Sequence, residues 1–86
     1  MNTYDFGDGN GPVAAHKHSN GGGWVADSAT VADSAYVGPD AVVYGNAAVS
    51  DNAKVYGNAE VFGDAWVFGY AEVYGGAVVY EGEITK

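Results

Sequence analysis

Valine recurs at every sixth position along most of the chain, beginning at Val25 and ending at Val79. Alanine keeps the same period from Ala29 to Ala77, and each of these alanines lies two residues before a valine. An α-helix repeats about every 3.6 residues and a strand about every two, so a period of six fits neither element alone. The pattern predicts short extended segments joined by two-residue corners, with valine and alanine facing inward.

The residues between these inward positions are of the types that form tight turns. Glycine tolerates positive φ, and asparagine and aspartate bond back to the neighbouring backbone, so such pairs bend the chain. The repeat predicts corners at Asp27-Ser28, Asp33-Ser34, Pro39-Asp40, Gly45-Asn46, Asp51-Asn52, Gly57-Asn58, Gly63-Asp64, Gly69-Tyr70 and Gly75-Gly76.

The repeat resembles that of the hexapeptide-repeat family, which folds as a left-handed parallel β-helix. The units VYGNAA at 43–48 and VYGNAE at 55–60 carry the resemblance, which covers about residues 25 to 80. It implies an all-β fold, a short three-sided parallel β-helix in which three hexapeptides make one coil. The left hand comes from the resemblance alone, because crossover connections are generally right-handed. The number of units gives about three coils, close to the minimum for a stable solenoid.

Side chains that are three hexapeptides apart stack in neighbouring coils of such a fold, so the outward side chains form columns. One column is aromatic and has valines beside it, which places more apolar surface outside than a small monomer usually shows. We therefore predict a homodimer or homotrimer whose interface contains Tyr44, Phe62, Tyr80, Val42 and Val78. The alternative is that the rings only stack between coils and stabilise the sheet.

The net charge of the chain argues against some classes of binding partner. The 86 residues carry 11 acidic and 3 basic side chains, the latter being Lys17, Lys54 and Lys86, for a formal net charge of -8. Phosphate contacts need lysine or arginine, so we expect neither nucleic acid nor an anionic membrane as a direct partner. The hydrophobic fraction of 48% argues against disorder, and the absence of cysteine excludes disulfides and thiolate chemistry. No leader-like start and no long apolar run are present, so we expect a cytoplasmic protein, in the host cell if phage-encoded.

The acidic residues concentrate at the corners. Asp33 and Asp51 share one corner, while Asp27, Asp64 and Glu81 lie along another. Turn formation and solubility explain such a distribution without any partner. A regular row of carboxylates can also imitate spaced phosphates and occupy a basic groove, as in the acidic rods of pentapeptide-repeat proteins, a different β-helix. The candidate partner-binding residues are Asp27, Asp33, Asp51, Asp64, Glu60, Glu72 and Glu81.

The N-terminal segment 1–24 breaks the six-residue period. Six glycines lie within it, together with the aromatic residues Tyr4, Phe6 and Trp24. We interpret 1–24 as a glycine-rich N-terminal cap whose aromatic side chains plug the end of the rod, with 21–23 as a hinge, and 25–86 as the β-helix.

Candidate catalytic chemistry is sparse. His16 and His18 lie on one side of an extended segment, where a metal is conceivable, but no cysteine and no third histidine accompanies them. Hexapeptide-repeat carbonic anhydrases use three histidines on the prism, and the acyltransferases need a catalytic histidine and a long loop. The region 25–86 contains no histidine. We predict no catalytic residue, no metal site and no cofactor.

These observations favour a non-enzymatic acidic binding protein. The leading hypothesis is an inhibitor that occupies the basic nucleic-acid-binding site of a partner protein as a DNA mimic. Small acidic proteins of this kind resemble phage or mobile-element anti-defence factors such as anti-CRISPR proteins. The alternative is a structural or assembly module, for example a phage-particle or scaffold rod, that acts through its aromatic face. A hexapeptide-type enzyme is the third choice.

Overall fold

The chain folds into short strands without a helix in the described part. A computed structural model of the chain describes residues 2–7 and 9–85. These residues form thirteen strands. In chain order they are β1 (Thr3–Asp5), β2 (Pro12–Lys17), β3 (Trp24–Ala26), β4 (Thr30–Val31), β5 (Tyr36–Val37), β6 (Val42–Val43), β7 (Ala48–Val49), β8 (Lys54–Val55), β9 (Glu60–Val61), β10 (Trp66–Phe68), β11 (Glu72–Val73), β12 (Val78–Val79) and β13 (Glu83–Thr85).

The strands stack as three parallel sheets, one on each side of a solenoid. The first contains β3, β6, β9 and β12, the second β4, β7, β10 and β13, and the third β5, β8 and β11. Val25 pairs with Val43 and Val43 with Val61, so each coil consists of three of the six-residue units. This register confirms the predicted all-β, three-sided parallel β-helix of about three coils.

Turns occupy all nine predicted corner pairs. In the later coils the first residue of most corners is a glycine at positive φ, for example Gly57 at 67°. Asp51 takes the same conformation, with φ 58°, and is the single non-glycine residue at positive φ among the described residues. Residues other than glycine rarely adopt positive φ, so the surrounding structure holds Asp51 in this backbone conformation.

The core is a thin stack of valine and alanine. Val25, Val37, Val43, Val49, Val55, Val61 and Val67 are fully buried. The alanines at the second inward position are also buried from Ala29 to Ala71, which keeps the three sheets close together. Val31 in the first coil and Val79 in the last are only partly buried, because each lies near an end of the rod. Hydrophobic burial therefore stabilises the middle coils most.

The N-terminal segment adds two antiparallel strands to the first sheet. β1 pairs with β2 and β2 with β3, so this sheet continues from the cap into the rod as β1-β2-β3-β6-β9-β12. His18 is buried, and its Nε2 donates a hydrogen bond of 2.8 Å to the carbonyl oxygen of Ala35. The cap aromatic residues that we expected to plug the end of the rod pack instead against other rings, Tyr4 on Trp24 and Phe6 on Tyr44.

The C-terminal strand departs from the repeat. β13 pairs with β10 with Ile84 opposite Val67, whereas β10 pairs with β7 with Val67 opposite Val49. The last unit is thus one residue short, and Ile84 takes the position that valine holds in the other coils. β13 covers the second sheet, whereas β11 and β12 form the last strands of the other two.

Candidate protein-binding surfaces

Four aromatic rings stack along the outer side of the first sheet. Ring centroids are 4.8 Å apart for Phe6 and Tyr44, 4.8 Å for Tyr44 and Phe62, and 6.0 Å for Phe62 and Tyr80. We call these four residues the aromatic ladder. The repeat predicts the last three, and Phe6 from the cap takes the place next to Tyr44 where the first coil has the small residue Ala26. The ladder therefore joins the cap to the rod.

Burial along the ladder is uneven. Tyr44 is only 6% exposed, because Phe6 and Phe62 cover both faces of its ring. Val42 and Phe62 are half-buried, while Val78 and Tyr80 are exposed. Of the five residues predicted for an oligomer interface, Val78 and Tyr80 thus offer the most surface to another molecule.

Exposed apolar surface concentrates near the C-terminal end. Among the described residues, the large hydrophobic side chains that are exposed all lie between positions 66 and 84. They are Trp66, Tyr70, Tyr74, Val78, Tyr80 and Ile84. Trp66 donates its indole N–H to the hydroxyl oxygen of Ser50 at 3.2 Å and packs against Phe68. The N-terminal half of the rod has no comparable patch among the described residues.

Four of the candidate carboxylates accept hydrogen bonds within the chain. Asp27 lies 2.7 Å from Nδ1 of His16, and Asp51 accepts the backbone N–H of Gly69 at 3.2 Å. The other two are Glu60, which accepts the hydroxyl of Tyr44 at 3.3 Å, and Glu72, which accepts the hydroxyl of Tyr56 at 2.9 Å. These four residues therefore have structural roles whether or not a partner binds.

The remaining three candidate carboxylates are exposed. The side-chain carboxylates of Asp33, Asp64 and Glu81 make no hydrogen bond or ion pair with another described residue, and we call them the free carboxylates. Asp64 and Glu81 lie at the corner that also holds Asp27. Asp33 lies at the corner that also holds Asp51.

Both of these corners border the same sheet. The second sheet runs between the corner of Asp27, Asp64 and Glu81 on one side and the corner of Asp33 and Asp51 on the other. Its outward side chains are small in the first two coils, namely Thr30, Ala32, Ala48 and Ser50. We call this sheet with its two bordering corners the acidic face. It presents two rows of carboxylates, separated by small side chains in the first two coils and by Trp66 and Phe68 in the third.

The lysines that the structure describes lie elsewhere. The ammonium group of Lys17 in β2 is 5.7 Å from the centre of the Trp24 ring, and Lys54 lies on the third sheet. Lys86 lies outside the described residues. The acidic face therefore holds no lysine among the residues described, and His16 lies against one of its carboxylates, Asp27.

The third sheet carries an open groove of about 430 Å³ that the sequence pattern did not indicate. It is lined by Asn20, Ser34, Tyr36, Asn52, Lys54, Tyr56 and Glu72. The hydrogen bond to Glu72, desolvation and the nearby negative charge together raise the pKa of the Tyr56 phenol. The repeat predicts that most of these residues lie close together on the third sheet. Asn20 comes from the cap, which has no repeat, so its position could not be predicted from the sequence.

The two histidines of the cap both contact residues of the rod. His16 pairs with Asp27, and His18 bonds to Ala35, so they do not converge on one point. Among residues 2–7 and 9–85, no three histidine, cysteine, aspartate or glutamate side chains are arranged to hold a metal ion. None of these residues forms a helix long and apolar enough to cross a membrane.

Comparisons with known proteins provide no assignment. A scan of family models and searches of curated proteins and of solved structures find no match to the chain.

Proposed function

We propose that the protein is a non-enzymatic acidic binding protein that occupies the basic nucleic-acid-binding site of a partner protein. The acidic face carries this proposal. Carboxylates at both corners flank a strip whose side chains are small in the first two coils, as two phosphate backbones flank a groove of a duplex. A partner surface that has evolved to contact phosphates through lysine and arginine is complementary to such rows.

The absence of lysine from the described part of the acidic face strengthens the attraction. Neither Lys17 nor Lys54 lies on the acidic face, and the formal net charge of the chain is -8. A surface of one sign steers an oppositely charged partner and increases the rate of association, and salt weakens that effect. Affinity that falls as salt rises is accordingly the signature of this mode of binding.

The rod also holds its charges in fixed positions. Backbone hydrogen bonds link each coil to the next, for example from Ser50 N to Val67 O at 2.9 Å. Corners that are already ordered lose little conformational entropy on binding. The acidic face is therefore preorganised for a rigid basic groove.

The biological setting follows from the same features. The six-residue repeat supports membership in the hexapeptide-repeat family, and small size with strong acidity supports an anti-defence role of the anti-CRISPR type. We expect a phage or mobile-element protein that acts in the cytoplasm of a host cell on a nucleic-acid-binding complex.

Charge reversal at the free carboxylates tests the proposal. The double variant Asp33→Lys with Asp64→Lys changes one residue in each acidic row and disturbs no hydrogen bond found for these side chains. Asp51 is less suitable, because lysine there would keep the positive φ and lose the bond to Gly69. Asp40→Lys is the matched control, since Asp40 is an exposed corner residue on the border away from the acidic face.

The measurement is capture of proteins from lysate of the natural host at low and at high salt, with identification of the bound proteins. We expect wild type and Asp40→Lys to retain a nucleic-acid-binding complex at low salt and to release it at high salt. The double variant should lose the complex while keeping the circular dichroism spectrum of the wild type. Retention of the same complex by the double variant would contradict the proposal.

A structural or assembly module remains the second candidate, because Val78 and Tyr80 leave an apolar patch beside the ladder. This alternative predicts a homo-oligomer that persists in high salt. Val78→Ser combined with Tyr80→Ser should then reduce the mass measured by light scattering to that of a monomer. A wild-type protein that is monomeric at all concentrations tested would contradict this alternative.

A further inference from the structure

The C-terminal end of the rod has two strands whose outer edges are unpaired. In the preceding coil, the amides of Lys54, Tyr56 and Glu60 donate to Ala71, Val73 and Ala77. The equivalent amides one coil later belong to Glu72, Tyr74 and Val78. Since β11 and β12 are the last strands of their sheets, these three amides have no strand partner among the described residues. We call the edges of β11 and β12 the open end.

The N-terminal end of the rod differs in this respect. β2 covers β3 in the first sheet. In the third sheet, the backbone N–H of Val37 donates to the carbonyl oxygen of Asn20, and the carbonyl oxygen of Val37 accepts the N–H of Gly23. The cap thus covers two of the three sheets at the N-terminal end and leaves only the edge of β4, whereas β13 covers one of the three at the C-terminal end. The unpaired N–H and C=O groups of a strand edge are a template on which another chain can pair.

Side chains around the open end favour a cation. Glu72 and Glu81 are exposed beside it, as are the rings of Tyr74 and Tyr80. No lysine or arginine occurs between positions 55 and 85. Carboxylates bind arginine and lysine side chains directly, and exposed aromatic faces bind them through cation–π contacts.

We propose that the open end binds an extended, lysine- or arginine-rich segment of the partner protein, which adds as a further strand along β11 and β12. This inference rests on the proposed function, because it assigns a second contact to the same basic partner. Main-chain hydrogen bonds give the added strand its affinity, and alternating side chains give it specificity. Inward positions of the strand cover Val73 and Val79, and outward positions carry the cations.

A second copy of the chain is a poorer occupant. When two open ends meet, both copies bring Glu72 and Glu81, and neither brings a lysine or arginine from positions 55–85, so the contact concentrates like charge. Head-to-tail stacking fails for a different reason, because the cap already covers two of the three sheets at the N-terminal end. A basic segment meets neither obstacle.

A nine-residue peptide, Arg-Val-Arg-Gly-Asn-Ala-Arg-Val-Arg, is the probe. It repeats the inward and corner pattern of the last coil and places arginine at each outward position. The measurement is a titration of the full-length ¹⁵N-labelled protein followed by amide chemical shifts and amide hydrogen exchange. We expect shifts and slower exchange at Glu72, Tyr74 and Val78. A scrambled peptide of the same composition should bind at least about tenfold more weakly, because it keeps the charge and loses the strand pattern.

Two variants of the protein complete the experiment. Val78→Pro removes one donor amide from the open edge, and Glu72→Lys with Glu81→Lys reverses the charge without changing the backbone. Both should weaken the peptide about tenfold or more, whereas Asp33→Lys on the acidic face should leave peptide affinity within about twofold of wild type.

Several outcomes would overturn the inference. Equal binding of the scrambled peptide, shifts centred on Asp33 and Asp64, or no shift at all would each exclude strand addition at the open end. Shifts at the open end that depend on protein concentration without peptide would assign it to a second copy. The proposed function fails separately, through capture of the partner by the Asp33→Lys and Asp64→Lys double variant.

Discussion

The ring of Phe6 lies against the ring of Tyr44, with centroids 4.8 Å apart and planes 19° from parallel. Phe6 follows β1 in the cap, and Tyr44 follows β6 in the second coil. Tyr4 extends the same cluster, since its ring contacts Phe6 at 4.8 Å and Trp24 at 4.9 Å. The cap is therefore fixed to the rod by side-chain packing as well as by the strand pairing of β2 with β3.

Removal of the Phe6 ring should loosen the cap. We expect Phe6→Ala to lower the free energy of unfolding by about 2 kcal/mol, because it removes the stacking and exposes one face of Tyr44. Urea unfolding measures this change, and hydrogen exchange should show faster exchange in β1 and β2 than in β9. Tyr70→Ala, at a residue that is 69% exposed, is the control and should change stability by less than about 0.5 kcal/mol. Equal effects of the two substitutions would contradict a role of Phe6 in holding the cap.

Asp51 combines a strained backbone with a carboxylate that accepts the amide of Gly69. Asp51→Ala keeps the positive φ and loses the hydrogen bond, so we expect a loss of stability of about 1 kcal/mol. Asp51→Gly also loses the bond but relieves a strain of about 1 kcal/mol, so its net effect should be close to zero. Thermal and urea unfolding distinguish the two variants. Alanine and glycine variants of equal stability would show that the positive φ carries no cost at this corner.

Because the contact with Glu72 raises the pKa of Tyr56, the free energy of unfolding should change with pH in the alkaline range. The raised pKa of Tyr56 means that the folded state holds the phenolic proton more tightly than the unfolded chain, in which tyrosine titrates near pH ~10. This contribution is fully present below about pH 10 and is lost as the pH rises through the pKa of the folded state. Between about pH 9 and pH 11.5, the free energy of unfolding should fall less for Tyr56→Phe than for wild type, as measured by urea unfolding.

Glu72→Gln separates charge from packing in the same experiment. It removes the negative charge beside the phenol, so the pKa of Tyr56 should fall towards its ordinary value in a spectroscopic titration. Tyr70→Phe removes a phenol at an exposed corner and serves as the control for the loss of one tyrosine. An alkaline profile of Tyr56→Phe that matches that of Tyr70→Phe would contradict the assigned cause.

Valine burial predicts a gradient of stability along the rod. Val55 is fully buried in the middle, whereas Val79 near the open end is partly buried. We expect Val55→Ala to reduce the free energy of unfolding by about 2 kcal/mol, through lost burial and a cavity, and Val79→Ala by less than about half as much. Urea unfolding of the two variants provides the comparison. A larger loss at Val79 would indicate that the last coil is covered by something other than solvent.

The repeat makes most of the rod predictable from sequence. Val43 and Val61 fall opposite each other because a fixed period leaves one possible register, and each corner is a local choice of turn residues. The stacking of Tyr44 on Phe62 follows from the same period. The borders of the acidic face also follow from it, since Asp27 and Asp33 lie one unit apart on either side of β4.

Features outside the period were not predictable in this way. The cap has no repeat, so nothing in its sequence placed Phe6 over Tyr44, although the small residue Ala26 at a ladder position is a signal for a missing ring. His18 was weighed as a metal ligand and instead bonds to Ala35. The shortened step to β13 requires one residue fewer at the last corner, and the valine count alone does not reveal it.

Paired valines are three hexapeptides apart, so a rod of this kind keeps its register when whole coils are added or removed. Excision of residues 45–62 would join Tyr44 to Gly63 and bring Tyr44 into the place of Phe62 beside Tyr80. Each valine that remains would still lie opposite another valine, and the corners would keep their turn residues. The length of the charged surface is thus adjustable in whole coils, independently of the fold that carries it.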